Sequence, residues 1–107
     1  MGMPNPSHLL ESVKGAMGIT TDEPIINNEI SDLIQAALYD LETNGVHAIS
    51  MSTDPLIVQA VKTYCRAHFH SPADYDKLIA AYETQKGHLM IAKDYTNYGE
   101  EEAYGTR

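Results

Sequence analysis

The chain has 107 residues, the length of one domain with a single hydrophobic core. It carries 15 Asp and Glu against 7 Lys and Arg, a formal net charge of −8, and no basic residue lies between Lys14 and Lys62. Tight binding to nucleic acid needs clustered Lys and Arg to neutralise phosphates, so this composition argues against such a surface and against a helix-turn-helix DNA reader.

Membrane insertion and secretion are also not expected. The longest apolar run covers residues 78–82, whereas a membrane-spanning helix needs about 20 residues. No basic segment followed by an apolar one opens the chain, so we expect no secretory signal. The single Cys65 cannot form an internal disulfide, which favours a reducing compartment.

The first half of the chain predicts two helices. The first begins at the capping residue Ser7, ends at Gly15 and Gly18, and has an apolar side formed by Leu9, Leu10, Val13 and Met17. The second begins at Thr21 or Asp22 and stops at Asn44-Gly45. Its apolar stripe consists of Ile26, Ile30, Leu33, Ile34, Ala37, Leu38 and Leu41.

An acidic stripe flanks the apolar face of the second helix. Glu29, Asp32 and Asp40 align there, together with Ala36, and no basic residue on the same helix accompanies them. A solvated face is the ordinary interpretation of such a stripe.

The second half predicts two more helices. Asp54 caps the third with Pro55 at its first position, and its wide apolar arc predicts the central helix of a bundle, with a polar strip of Gln59, Lys62, Thr63 and Arg66. The fourth begins at Ser71-Pro72-Ala73-Asp74, which is close to a capping box. Its apolar face consists of Tyr75, Leu78, Ile79, Tyr82 and Leu89.

Two segments outside these helices are candidates for binding. The connection 46–52 carries Val46, Ile49 and Met51, which either fold onto the core or wait for a partner. The acidic segment 94–107 has too few aliphatic residues to bury by itself, so we expect it to be mobile until it binds. Its three tyrosines are of the type that forms interfaces: Tyr95, Tyr98 and Tyr104. The sequence therefore predicts an all-α bundle of about four helices in residues 1–93, followed by a flexible tail.

Catalytic and metal-binding patterns are weak. Cys65, His68 and His70 are the only cluster that resembles a metal site, but zinc usually takes four ligands and no second pair follows. A buried cysteine beside an edge histidine is the simpler interpretation. The sequence has no glycine-rich phosphate loop, nucleophile elbow or His-Glu-x-x-His helix, so we expect neither an enzyme nor a bound cofactor.

About 43 residues, from Thr53 to Tyr95, resemble the head-tail connector (adaptor) proteins of long-tailed phages and prophages. The likeness extends to the Leu33-Ile34-Gln35-Ala36-Ala37 run of the second helix. The matching residues of the third and fourth helices are Asp54-Pro55-Leu56-Ile57, Ala60, Tyr64-Cys65, Ala67, Pro72, Asp74-Tyr75-Asp76, Leu78, Tyr82, Gln85-Lys86, Leu89, Ala92 and Tyr95.

The resemblance implies a virion protein at the head-tail junction, made in the cytoplasm of the bacterial host. Such proteins form a homo-oligomeric ring, commonly a dodecamer, between the portal protein and a stopper or tail-completion protein. DNA passes through the ring without specific binding. On this view Glu29, Asp32 and Asp40 would line the channel, while Val46, Ile49 and Met51 would contact neighbouring subunits. The portal would bind the tail residues Tyr95, Tyr98, Tyr104 and Arg107.

Two alternatives remain open from the sequence. An acidic helical protein could imitate the charge of DNA and inhibit a DNA-binding enzyme, which would require exposed carboxylates spaced like phosphates. A small metal enzyme could be built on Cys65, His68 and His70, which would require stoichiometric metal.

Overall fold

The computed structural model describes residues 7–96, in which α-helices are joined by short connections without any strand. The elements are α1 (Ser7–Met17), α2 (Pro24–Thr43), α3 (Pro55–His68), α4 (Tyr75–Ile91) and α5 (Lys93–Thr96). The predicted all-α bundle of four main helices is confirmed, and the short α5 is an addition. Residues 94–96 of the predicted tail belong to α5, and residues 97–107 lie outside the described part of the chain.

The third helix is central, as predicted. α3 packs against α1, α2 and α4, whereas α4 contacts mainly α3 and α5. Thr63 was predicted to belong to the polar strip of this helix. It is only 4% exposed, because α3 is covered on several sides. The Thr63 hydroxyl donates to the Gln59 carbonyl at 3.0 Å, which satisfies its polarity inside the helix.

Glycines in the left-handed region end α1 and α2. Gly18 has φ +70°, and the following Ile19 N–H donates to the Lys14 carbonyl at 2.9 Å. Gly45 has φ +89°, and the Val46 N–H donates to the Leu41 carbonyl at 2.9 Å. Both hydrogen bonds satisfy carbonyl groups that would otherwise be unpaired at the end of a helix. The stop at Gly45 is confirmed, and α1 continues through Gly15 to Met17.

The start of α2 was predicted two to three residues too early. Asp22 lies before the helix, where its exposed carboxylate accepts a hydrogen bond at 3.1 Å from Lys14, an α1 side chain that is only 3% exposed. Thr21 Oγ1 instead accepts from the Glu23 N–H at 3.1 Å. α2 therefore begins at Pro24, whose missing N–H costs nothing in a first turn.

Asp54 caps α3 as predicted, since its carboxylate accepts from the Leu56 N–H at 2.9 Å. The predicted capping box of α4 does not form. His70 and Ser71 have φ of 56° and 50°, so the chain reverses at these residues and Ser71 lacks the extended backbone of a cap. α4 begins at Tyr75, and Asp74 caps it without a side-chain hydrogen bond.

Among the described helices, none is both long and apolar enough to span a membrane.

Candidate functional site

The acidic stripe of α2 is partly exposed and partly paired. Asp32 is exposed. The Glu29 carboxylate lies 3.1 Å from His70 Nε2, and both side chains are about half exposed, at 42% and 59%. An exposed pair of this kind contributes little to stability. At Glu29 and Asp32 the stripe therefore presents carboxylates to solvent.

Asp40, the third member of the stripe, is bound inside the fold. Its Oδ2 accepts from the Tyr82 hydroxyl at 2.6 Å and from Lys86 Nζ at 2.9 Å. Burial opposes ionisation of Asp40, but these two hydrogen bonds outweigh it and hold the pKa of the carboxyl below its usual value. The expectation of a stripe with no basic partner is thus wrong at Asp40, because Lys86 on α4 compensates its charge.

Lys86 and Tyr82 join α4 to α2 across the bundle. The Lys86 side chain is only 12% exposed, and it also lies 3.4 Å from the exposed Glu83 carboxylate. Burial raises the pKa of Tyr82, and its bond to Asp40 raises it further, so the phenol stays protonated and donates. These two contacts join α4 to α2, although α4 packs mainly on α3.

The connection 46–52 folds mainly onto the core of its own subunit. Val46 is fully buried, while Ile49 and Met51 are half-buried and pack against the core. The Ile49 N–H donates to the Glu42 carboxylate at 2.9 Å. Ile49 and Met51 are therefore the apolar side chains of this segment that stay partly accessible, and Val46 does not reach the surface of the single chain.

Tyr95 belongs to the folded body. Its hydroxyl donates to Asp54 Oδ1 at 2.9 Å, and its carbonyl accepts from the His47 N–H at 2.7 Å. His47 Nε2 lies 2.9 Å from the Thr96 carbonyl. The other predicted tail contacts, Tyr98, Tyr104 and Arg107, lie outside the described residues.

The three residues of the candidate metal cluster have separate surroundings. Cys65 is fully buried, and burial raises the pKa of its thiol to about 12. The His68 ring lies 4.3 Å from the ring of Tyr64, and His70 pairs with Glu29. Within residues 7–96, no three His, Cys, Asp or Glu side chains are grouped so that they could hold a metal ion.

A groove between the start of α3 and the end of α4 was not predicted from the sequence. Its volume is about 280 Å³, and it is lined by Leu56, Gln59, Gln85, His88, Leu89, Ala92 and Tyr95. Leu56 is 57% exposed despite its size. One feature of the sequence could have indicated this groove: Leu56 is a large apolar residue in the first turn of α3, and it lies outside the apolar stripe that faces the bundle.

The described residues form an all-helical bundle with an acidic stripe on α2 and an apolar groove between α3 and α4. The sequence profile of the phage connector protein family matches residues 9–96. The chain belongs to this family, and the predicted relationship is confirmed. No curated protein sequence and no solved structure matches the chain significantly.

Family membership gives the chain a structural role. It is a connector component of a phage virion at the head-tail junction, where it contacts other virion proteins. Imitation of DNA finds less support, because Asp40 and Glu42 both accept hydrogen bonds within the fold instead of facing outward.

Proposed function

We propose that the chain is an adaptor that assembles as a ring, most simply a dodecamer, between the portal protein and a stopper or tail-completion protein. The observation that carries this proposal is the connector-family match over residues 9–96, which includes nearly all of the described fold. Each subunit needs only one small hydrophobic core, because a large ring is built from many copies of the same subunit.

A closed ring requires two different and complementary faces on each subunit. Large apolar side chains are exposed at both ends of this bundle. Ile25, 76% exposed, is the second residue of α2, about one turn before Glu29, which pairs with His70 just after α3. Leu56 and Ile91, 57% and 82% exposed, lie at the start of α3 and the end of α4. We assign these exposed side chains to contacts between virion proteins, together with the partly exposed Ile49 and Met51.

The channel wall in this proposal is α2. The sequence of α2 contains no Lys or Arg, and its Glu29 and Asp32 carboxylates reach solvent. Repeated around a ring, these carboxylates repel the phosphates of passing DNA, which keeps the duplex centred and mobile. Asp40 contributes less to this wall than Glu29 or Asp32, because Lys86 compensates its charge.

The portal contact in this proposal is the segment after the folded body. Tyr95 anchors the end of α5 to Asp54, and the chain then continues through Tyr98 and Tyr104 to Arg107. Tyrosine supplies a large contact area at a low entropic cost. The portal would therefore bind residues 97–107, while the bundle forms the ring.

Native mass spectrometry of the chain mixed with the portal ring of the same phage tests this function. We expect one copy of the chain bound per portal subunit. A variant that ends at Thr96 should keep its helical circular dichroism signal and lose portal binding. If the full chain does not bind the portal, the adaptor proposal is wrong; if the shortened variant binds equally well, the portal contact lies elsewhere on the subunit.

A further inference from the structure

Two exposed apolar sites lie at opposite ends of the bundle. Ile25 is 76% exposed at the start of α2, and Leu56 is 57% exposed in the groove at the start of α3. Glu29, near the start of α2, pairs with His70, just after the end of α3, so the two helices are antiparallel. α2 has 20 residues and is about 30 Å long. Ile25 therefore cannot reach the groove of its own chain, and a contact between the two sites must join two copies.

The groove is suited to an aliphatic side chain. Its volume is about 280 Å³, and its apolar lining includes Leu56, Leu89 and Ala92. Leu56 stays exposed there in the single chain, as Ile25 does at the other end. Placing one of these side chains against the other removes both from water, which is favourable in proportion to the apolar area that is covered.

Polar side chains next to the two apolar sites also match. Asn28 is exposed one turn after Ile25 on α2. Gln59 is exposed one turn after Leu56 on α3, where it lines the groove. Each side-chain amide has a donor and an acceptor, so Asn28 of one copy and Gln59 of another are able to pair.

The charges of the two sites are complementary as well. Glu23 is exposed two residues before Ile25, and its carboxylate makes no capping hydrogen bond. His88 is exposed and lines the groove. An imidazole N–H donates to a carboxylate, and the bond is stronger when the ring is protonated. Asp54, the acid at the start of α3, already accepts two hydrogen bonds within its own chain.

We propose that Ile25 of one copy inserts into the groove of the next copy, between Leu56 and Leu89, with Glu23 against His88. The contact rests on the proposed ring, whose two complementary faces it names. Because the two sites differ, each pair of copies keeps one free site at either end, and the series of contacts continues until the ring closes.

Disulfide cross-linking tests this contact. In an I25C/L56C variant, a disulfide forms only where the two Cα atoms of neighbouring copies lie within about 7 Å of each other. The natural Cys65 is fully buried and does not compete. We expect mild oxidation to give a ladder of covalent multimers, both on the portal ring of the same phage and in the concentrated free chain. Circular dichroism checks that each variant keeps its helices.

Three control variants separate this contact from other associations. I25C and L56C alone lack the partner thiol and should stay monomeric. I25C/Y39C places its second thiol at a residue that is 56% exposed on α2, and it should form no ladder.

A charge exchange tests the polar part of the contact. In the I25C/L56C background, E23K and H88E each bring like charges together and should lower the yield of multimers by roughly fivefold or more. The combination of E23K with H88E restores opposite charges and should recover the yield. A merely structural effect of either substitution would not be rescued by the other.

The inferred contact is wrong if I25C/L56C forms no ladder on a portal that carries its full number of copies. It is also wrong if L56C alone forms dimers, because the groove would then pack against itself, or if I25C/Y39C gives the same ladder. Native mass spectrometry of the same samples counts the bound copies, so a missing ladder on an occupied portal leaves the adaptor proposal intact. If the chain does not bind the portal, the adaptor proposal fails and the ladder of the concentrated free chain decides the contact by itself.

Discussion

Lys86 on α4 lies 2.9 Å from Asp40 on α2, and Tyr82, one helical turn before Lys86, donates to the same carboxylate oxygen at 2.6 Å. α4 packs mainly on α3, so this polar junction is its direct link to α2. It also divides the acidic stripe, because it compensates Asp40 and leaves Glu29 and Asp32 facing solvent.

The Tyr82 hydroxyl should contribute measurably to stability. Y82F keeps the ring and removes only the donor to Asp40, so we expect a loss of about 1.5–3 kcal/mol in the free energy of unfolding, as for a hydrogen bond to a charged group. Urea denaturation followed by circular dichroism measures it. The matched control is E83Q, which alters the exposed partner of Lys86 and should change stability by less than about 0.5 kcal/mol. Equal effects of Y82F and E83Q would contradict the proposed importance of the Asp40 junction.

Asp40 also makes stability depend on pH. Burial by itself would raise its pKa, but the bonds from Tyr82 and Lys86 hold that pKa below the usual value. A carboxyl with a lower pKa in the folded chain stabilises the fold fully above its unfolded pKa of about 4, and this contribution is lost as pH falls through the folded pKa.

The urea concentration at the midpoint of unfolding should therefore decrease as the pH is lowered from about 5 to about 3. D40N should flatten this dependence, whereas D32N, which changes an exposed carboxylate of the same helix, should leave it unchanged. A pH profile of D40N that matched the unaltered chain would show that Asp40 does not stabilise the fold through its charge.

Asp54 performs two structural tasks with one oxygen. Its Oδ1 accepts from the Leu56 N–H and from the Tyr95 hydroxyl, each at 2.9 Å. D54A should cost about 1–3 kcal/mol through loss of the cap and of the Tyr95 bond. Y95F removes only the second contact and should cost about 0.5–1.5 kcal/mol. Thermal unfolding compares the two, and a larger loss in Y95F than in D54A would be inconsistent with this arrangement.

Two glycines should respond in opposite ways to alanine. Gly45 has φ +89°, where a Cβ is strained although space is open, so G45A should destabilise by about 1 kcal/mol. Gly87 lies inside α4 with no atom near its missing Cβ, so G87A should stabilise by about 0.5–1 kcal/mol. Melting temperatures of the two variants and the unaltered chain show whether each substitution stabilises or destabilises the fold. Destabilisation by G87A would indicate that α4 needs flexibility at this residue.

Charge reversal on α2 tests the proposed channel wall. Particles assembled with the E29K/D32K double variant should lose infectivity roughly tenfold or more, because Lys side chains would attract the DNA that must pass. The D74K/D76K variant makes an equal change of charge at exposed positions at the start of α4 and should have little effect. Equal titres for the two variants would place α2 away from the DNA.

Local residue patterns were sufficient to predict the helices but not all of their starts. The Asp54-Pro55 cap and the stop at Gly45 are local features, and both were predicted from the sequence. The residues just before α2 contact another helix, since Asp22 accepts a hydrogen bond from Lys14 of α1, and α2 begins only at Pro24. The start of α4 follows a left-handed turn at His70 and Ser71, and two consecutive non-glycine residues with positive φ are uncommon.

The pairing of Asp40 in the acidic stripe could not be predicted from the sequence. Asp40 meets residues of α4 that are more than forty positions later, and no local pattern places them together. Tyr82 and Lys86 are four residues apart, so the sequence places a hydroxyl and an amine on one side of α4. This spacing could have indicated a shared acidic partner. The groove depends similarly on how the end of α4 meets the start of α3, a relationship that tertiary packing determines.

Electron cryomicroscopy of the head-tail junction in intact particles tests the ring-adaptor function most directly. It should show the four-helix bundle repeated in a closed ring beneath the portal, with α2 and its Glu29 and Asp32 facing the DNA and residues 97–107 against the portal. A junction without this repeated bundle, or a ring with α2 on its outer wall, would contradict the proposed adaptor and its acidic channel.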